Sequence, residues 1–198
     1  DIYYIIADSF QAAKNSPHLE IFRKKGIEVL LMSDKVDEWL TSHVAEFDGK
    51  KLQSVAKGEL DLDSSEDDEK DKKKQEKAKK DFDGVLKQMK EVLGNQVSEV
   101  RLTNRLTDSP ACVVSDDAGM SMHLQRLMAQ AGQPAMPSQP IFEINSEHKL
   151  VKQLKDQQDD KVFNQWTELL FQQAKLAESG QLDDPAAFVK NMNALLTK

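Results

Sequence analysis

The sequence has a single cysteine, Cys112, few aromatic residues (6%) and no long apolar run. One cysteine cannot form an internal disulfide, and this usage is typical of proteins in the reducing cytosol. No stretch approaches the roughly 18–20 consecutive apolar residues that a membrane-spanning helix requires. We therefore expect a cytoplasmic protein without a membrane partner, in which Cys112 is buried and unreactive within an apolar strand.

Positive charge is also scarce, because 34 Asp and Glu outnumber 27 Lys and Arg, for a net charge of −7. Tight binding to a phosphate backbone draws on clustered cations, so nucleic acid is not an expected partner. The segment that would best suit a nucleic-acid-binding accessory role is the basic run at residues 70–80. An acidic block directly precedes this run, which argues against that role. With 31% charged residues, the composition favours a helical, well solvated protein over a compact β-sandwich.

Motifs of a catalytic or metal centre are missing from the sequence. Its four histidines lie far apart, with no cysteine or carboxylate at the spacing of metal ligands. A GxSxG elbow, a phosphate-cradling Gly-rich loop and an HExxH helix are absent as well. We predict no catalytic residue, no metal and no cofactor in this chain. The rival hypothesis, the substrate-binding part of a cytosolic α/β enzyme, requires a polar cleft with convergent titratable groups.

The first 58 residues alternate between strands and helices. Residues 2–6, 27–32 and 51–55 are predicted strands, and helical segments lie between them. Gly26 is a natural left-handed helix terminator, and Asp34 is placed to cap the next helix. This order predicts a small parallel βαβαβ unit. The helix after Asp34 carries Trp39 beside an apolar stripe of Val36, Leu40, Val44 and Phe47.

Residues 59–80 differ sharply in composition from the segments on either side. An acidic block at 61–69 is followed by a mostly basic one at 70–80. Such blocks cannot bury apolar area, so we predict a solvated linker or the exposed start of a helix. This segment is the predicted boundary between a first domain, 1–58, and a second, 81–198.

The second domain is predicted to be α+β. A helical stripe from Phe82 to Leu93 ends at Gly94, strands at 97–106 and 111–114 are joined through a turn, and a third strand lies at 140–145. The helix predicted over 119–130 has a methionine-rich face. Because flexible Met suits both cores and adaptable contact surfaces, the pattern leaves both roles open. That face comprises Met120, Leu124, Leu127 and Met128.

The last two helices carry wide apolar stripes joined by a short connection, so we expect them to form an antiparallel hairpin. Either the hairpin covers this chain's own sheet, or two hairpins meet across a twofold axis as an intermolecular four-helix bundle. Amphipathicity alone does not decide between the two. For the second case, the predicted interface consists of Val162, Phe163, Trp166, Leu169, Leu170, Phe188, Met192, Leu195 and Leu196.

Three stretches together carry a family resemblance. They are residues 15–20 (NSPHLE) running into 25–32 (KGIEVLLM), residues 36–39 (VDEW) and residues 101–111 (RLTNRLTDSPA). In these stretches the chain resembles the ninety-kilodalton heat-shock chaperones, and most closely their bacterial members. The resemblance implies a C-terminal fragment, in which 1–58 ends the family's middle domain and 81–198 is its dimerisation domain.

The resemblance also implies a function, namely homodimerisation and the binding of unfolded or partly folded client proteins. Client-contacting positions of the family map onto Glu38, Trp39, Met120, Leu124, Leu127 and Met128. ATP, Mg²⁺ and the catalytic machinery belong to parts of the family outside this chain. The acidic tail peptide that recruits tetratricopeptide co-chaperones in eukaryotes is not expected here.

Overall fold

The computed structural model of the chain describes residues 1–59, 62, 68–117, 119–133 and 139–197. This described part is a mixed α+β structure with two sheets, which confirms the expected fold class at that level. The strands are β1 (Ile2–Ile6), β2 (Leu30–Met32), β3 (Glu46–Phe47), β4 (Lys50–Ser54), β5 (Glu99–Leu102), β6 (Ala111–Val114) and β7 (Ile141–Ile144). The helices are α1 (Phe10–Asn15), α2 (Glu20–Lys25), α3 (Lys35–His43), α4 (Asp68–Leu93), α5 (Met122–Gln130), α6 (Lys149–Lys155), α7 (Asp160–Ser179) and α8 (Pro185–Leu196).

The first sheet has the order β2-β1-β4-β3. Strand β1 pairs in parallel with both neighbours, so that Tyr4 lies opposite Leu30 on one side and Ser54 on the other. The predicted parallel βαβαβ arrangement is therefore present. The short strand β3 extends it antiparallel to β4. Asp48 and Gly49 connect β3 to β4 with φ values of 50° and 71°, the left-handed pair that a tight hairpin turn requires.

A small core joins β1 to the helices that follow it. Helix α2 ends at Gly26, whose φ of 68° confirms the predicted left-handed terminator. A single-turn 3-10 helix, Pro17–Leu19, precedes α2 and contributes to the same core. The buried members are Ile5, Ala13, Leu19, Phe22 and Val55.

The second sheet has the order β5-β7-β6. Residues 103–110 connect β5 to β6, and the two strands do not pair with each other. Strand β7 lies between them, parallel to β5 and antiparallel to β6. The first sheet with α1–α3 is called here the first unit, and the second sheet with α4–α8 the second unit. Residues 103–110 contact the first unit through Arg105, Thr107 and Ser109.

Helices α4, α6 and α7 cover the second sheet and form the larger core. The stripe predicted on α4 is confirmed, because Phe82, Met89 and Leu93 are buried and the helix ends before Gly94. The side chains that complete this core come from all three strands of the sheet and from α6 and α7, and include Val100, Val113, Phe142, Ile144, Val151, Phe163, Leu170, Phe171 and Ala174.

Part of the predicted linker is helical, since α4 begins at Asp68. Most of the acidic block, residues 61 and 63–67, lies outside the described residues, as do residues 60, 118, 134–138 and 198. The domain limits 1–58, 59–80 and 81–198 remain predictions. Within the described ranges, every helix is too short or too polar to cross a lipid bilayer.

Candidate functional site

Helix α3 presents its apolar side to solvent. The exposed fraction is 63% for Trp39, 59% for Val36 and 39% for Leu40. Trp39 stacks against His43 of the same helix with ring centroids 4.6 Å apart. Another side of α3 buries Glu38, which is 8% exposed. A surface helix normally turns its apolar stripe inward, so α3 offers contact area that the described chain does not cover.

The helix predicted over 119–130 is α5, which begins at Met122, so Met120 of its methionine-rich face lies ahead of the helix. Ser121 caps its first turn by accepting a hydrogen bond from the Leu124 amide at 3.0 Å. The structure places the face between the two roles that the sequence left open, because its members are neither fully exposed nor part of a core. All four predicted residues, Met120, Leu124, Leu127 and Met128, are half-buried.

Glu38 brings α3 and α5 together. Its Oε1 atom accepts a hydrogen bond from the Ser121 hydroxyl at 2.7 Å and lies 3.0 Å from Nδ1 of His123. The other ring nitrogen of His123 lies 3.1 Å from Asp8, which also pairs with Arg126 at 3.2 Å. We call these five residues the α5 clip. Two segments that the resemblance assigned to client contact are therefore adjacent, and buried polar bonds hold them together.

Ionisation of Glu38 maintains the α5 clip. Burial raises the pKa of the Glu38 carboxyl, but hydrogen bonds from His123 and Ser121, and the charges of His123 and Lys57, lower it by more. The resulting pKa lies below the ordinary value of 4.5. A depressed folded-state pKa adds stability at higher pH, and this stability is lost as pH falls through the folded pKa. The clip is therefore intact at neutral pH and weakens in acid.

A second polar joint links α2 to the loop after β5. The Glu20 carboxylate accepts hydrogen bonds from the amides of Thr107 at 2.6 Å, Asp108 at 2.7 Å and Ser109 at 3.1 Å. The Ser109 hydroxyl donates to the same carboxylate at 2.5 Å. Partial burial raises the pKa of Glu20, but these hydrogen bonds lower it by more. The pKa of Glu20 is therefore below its ordinary value. The first unit is thereby anchored to the second.

A third joint is a buried charge cluster. Glu143 on β7 is 2% exposed and pairs with Arg105 at 2.6 Å and with Arg101 at 2.7 Å. The Arg105 guanidinium also donates to the carbonyls of Val55 and Gly58 in the first unit. Burial raises the pKa of Glu143, but the two arginines and Thr103 lower it by more.

Cys112 lies beside the charge cluster, with its thiol 3.8 Å from Glu143. Burial, reinforced by the negative charge of Glu143, raises the pKa of this thiol well above its ordinary value. The side chain is 2% exposed, which confirms the prediction of a buried cysteine.

The rival enzyme hypothesis requires a polar cleft, and two cavities bear on it. The larger, about 340 Å³ beside α2, is lined mainly by apolar side chains such as Phe22, Ile27 and Leu31. The polar cleft between the two units has a volume of about 110 Å³, whereas ligand pockets usually reach roughly 300–1,000 Å³. Its titratable groups already bond within the protein, as Glu38 does in the clip and Lys57 does by donating to the Gly119 carbonyl at 2.8 Å. Among the described residues, no three His, Cys, Asp or Glu side chains cluster in a way that would hold a metal ion.

The C-terminal hairpin is present, with α7 and α8 packed together and the Asn191 amide donating to the Gln165 carbonyl at 3.0 Å. Its apolar residues are divided between the chain's own interior and the surface. Phe163, Leu169, Leu170 and Leu195 are buried in this chain, Val162, Trp166, Phe188 and Met192 are half-buried, and Leu196 is 73% exposed. The assignment of these nine residues to a dimer interface remains a prediction.

Sequence reasoning missed the polar residues that hold the site. His123 was considered only as a metal ligand and excluded as one, and Asp8, Arg105 and Glu143 were assigned no role. The partners lie far apart in the chain, with Glu38 and His123 separated by 85 positions. Spacing therefore carries no signal for them. The exposed Leu176 and Val189, at 38% and 47%, belong to the predicted stripes but were left out of the predicted interface.

Comparison with known proteins places the chain in a family. All of residues 1–198 match the family described as Hsp90 protein. The chain belongs to the Hsp90 family. It is 60% identical over 195 residues to the chaperone protein HtpG of Colwellia psychrerythraea, and 57% and 59% identical to those of Pseudoalteromonas translucida and Coxiella burnetii. Each match covers 98% of this chain, which spans about 30% of the length of these relatives.

Proposed function

We propose that this chain is the dimer-forming and client-holding portion of an Hsp90-family chaperone of the cytoplasm. One observation supports the client-holding role most strongly, namely the exposure of the apolar side of α3 around Trp39, which is 63% exposed. Half-buried Met and Leu side chains on the adjoining α5 enlarge that surface. Flexible Met side chains adapt to apolar partners of many shapes, as binding to varied unfolded proteins requires.

Binding and hydrolysis of ATP, with Mg²⁺, belong in this proposal to the remainder of the full-length protein. The chain itself holds no cofactor and acts without a catalytic residue. Two copies joined through their C-terminal hairpins would keep the two ATP-hydrolysing parts at a high effective concentration.

The dimer is supported by the surface of the hairpin. Leu196 on α8 is 73% exposed and Val189 on the same helix is 47% exposed, while Leu176 near the end of α7 is 38% exposed. Full burial of one such side chain contributes about 1.5–3 kcal/mol, so a second hairpin that covers them gains substantial free energy. In this arrangement Phe163 and Leu170 support the interface from within the chain's own core, and the exposed and half-buried residues make the contact.

Replacing Val189 and Leu196 with Asp is expected to convert a dimer into a monomer. Both side chains are exposed in the single chain, so the charges disturb the interface and not the fold. Sedimentation velocity at about 10 µM, a concentration suited to ordinary homodimer affinities, measures the difference. Asn193→Asp adds a charge to an exposed position of α8 and serves as the control. A monomeric parent chain, or a dimer that survives both substitutions, would rule out this interface.

Replacing Trp39 with Ser is expected to weaken binding of an unfolded client about tenfold, because an exposed aromatic anchor is lost from the contact surface. The measurement is fluorescence anisotropy with reduced, carboxymethylated α-lactalbumin, which stays unfolded in buffer. Trp39→Phe should retain most of the affinity. Lys35→Ser removes a long exposed side chain from the same helix and should have little effect. Equal affinities for the parent chain and Trp39→Ser would contradict the proposal.

A further inference from the structure

Glu38 and Trp39 are neighbours in the sequence, but they lie about 100° apart around α3 and have different surroundings. Trp39 is 63% exposed, whereas Glu38 is 8% exposed and directed toward α5. A client that lies on the Trp39 side finds almost no accessible surface on Glu38. The Oε1 atom of this carboxylate is already engaged by Ser121 at 2.7 Å and by His123 at 3.0 Å.

The position of α5 depends on contacts of this kind. The helix has nine residues, fewer than the roughly 12–15 that an isolated helix needs to persist in water. At its start, Lys57 donates to the Gly119 carbonyl, and the Met122 amide donates to Ser115. On its next turn, Arg126 donates to the Ser179 carbonyl at 2.7 Å. Glu38 adds the bond that links this helix directly to α3.

Removing Glu38 would leave two buried or half-buried polar groups short of a partner. The ring of His123 is 8% exposed and would keep only its contact to Asp8, whose side chain is 51% exposed and therefore weakly held. The Ser121 hydroxyl would lose its acceptor. Buried polar groups without partners are costly, so α5 would shift or fray to hydrate them.

We propose that Glu38 is a positioning residue. It fixes α5 against α3 so that Trp39 and the methionine-rich face form one continuous client surface. This inference rests on the proposed client-holding function and assigns Glu38 a part in it other than direct contact. The effect of Glu38 on clients passes through Ser121 and His123.

The test breaks the hydrogen bonds between Glu38 and α5 in two different ways. Glu38→Ala breaks the bond from the α3 side, and Ser121→Ala combined with His123→Leu breaks it from the α5 side without changing α3. Two quantities are measured for each variant: hydrogen–deuterium exchange of the α5 amides, and affinity for reduced, carboxymethylated α-lactalbumin. Both variants are expected to speed α5 exchange and to weaken client binding, each about tenfold.

Two further variants separate positioning from general loss of structure. Glu38→Gln keeps a hydrogen-bond acceptor and should recover much of the exchange protection and client affinity. Trp39→Ser should weaken client binding while α5 exchange stays at the parent rate. If Glu38→Ala fails to fold, as judged by circular dichroism, the α5-side pair and Glu38→Gln provide the comparison.

Two results would overturn the inference. One is an α5-side variant that binds the client as tightly as the parent chain while Glu38→Ala does not, because Glu38 would then contact the client directly. The other is unchanged α5 exchange in Glu38→Ala. If the parent chain itself fails to bind the unfolded protein, the proposed function fails. The exchange measurement then decides independently whether Glu38 holds α5.

Discussion

Replacing Arg105 with Ala is expected to destabilise the chain by about 3–5 kcal/mol, because the change breaks a buried ion pair by removing one partner. Arg105 is 3% exposed, and its guanidinium bonds to Glu143 and to two carbonyls of the first unit. After the change, Arg101 is left to pair with the buried carboxylate of Glu143. Urea unfolding followed by far-ultraviolet circular dichroism measures the loss.

Two controls test whether the buried charge is the cause of the Arg105 effect. Arg23→Ala removes an exposed arginine of α2 and should change stability by no more than about 0.5 kcal/mol. Combining Arg105→Met with Glu143→Leu should cost less than the sum of the single changes, because the unpaired charge is then absent. A loss below about 1 kcal/mol for Arg105→Ala would show that water or other groups solvate Glu143 adequately.

Replacing Phe142 with Ala is expected to cost about 3–5 kcal/mol of stability through loss of buried area and formation of a cavity. Phe142 on β7, the middle strand of the second sheet, is 0% exposed, and its ring meets that of Phe171 edge-on with centroids 5.3 Å apart. The substitution therefore removes the contact between the sheet and α7 at its centre. Thermal and urea unfolding of the variant measure the effect.

The matched control for this change is Phe47→Ala, which removes the same atoms from a side chain that is 70% exposed. It should alter the free energy of unfolding by no more than about 0.5 kcal/mol. Phe142→Leu should fall between the two, since it keeps much of the apolar volume. A cost for Phe142→Ala no larger than that for Phe47→Ala would mean that the core can close around the missing ring.

Local signals in the sequence predicted the secondary structure well. Gly26, Gly94 and Gly180 follow the ends of α2, α4 and α7, and Pro185 opens α8 after the Asp184 cap. These features act within one turn of a helix, so they can be recognised in the sequence. The pairing of β5 and β6 with β7 depends on contacts about 30 to 40 residues apart, for which no local pattern exists.

In the candidate site, too, features within one helix could be predicted, whereas contacts between distant residues could not. Val36 and Leu40 of the predicted stripe lie on α3, whereas Val44 and Phe47 lie beyond its end at His43. The structure turns the stripe on α3 toward solvent and Glu38 toward α5. Periodicity reports which residues share a side of a helix and not which side is buried. The resemblance identified Glu38 and Trp39 together as contact residues, whereas the structure shows one inward and the other outward.

Because Cys112 is buried, the rate of its chemical modification measures how often solvent reaches the charge cluster around Glu143. The sulfur is enclosed next to the Arg105–Glu143 pair, and alkylating reagents attack the thiolate, a form that its raised pKa makes rare in the closed state. Alkylation of Cys112 therefore requires a transient opening that lets solvent reach the cluster. The rate at which iodoacetamide modifies Cys112 in the parent chain then measures the frequency of these openings, and no added label is needed.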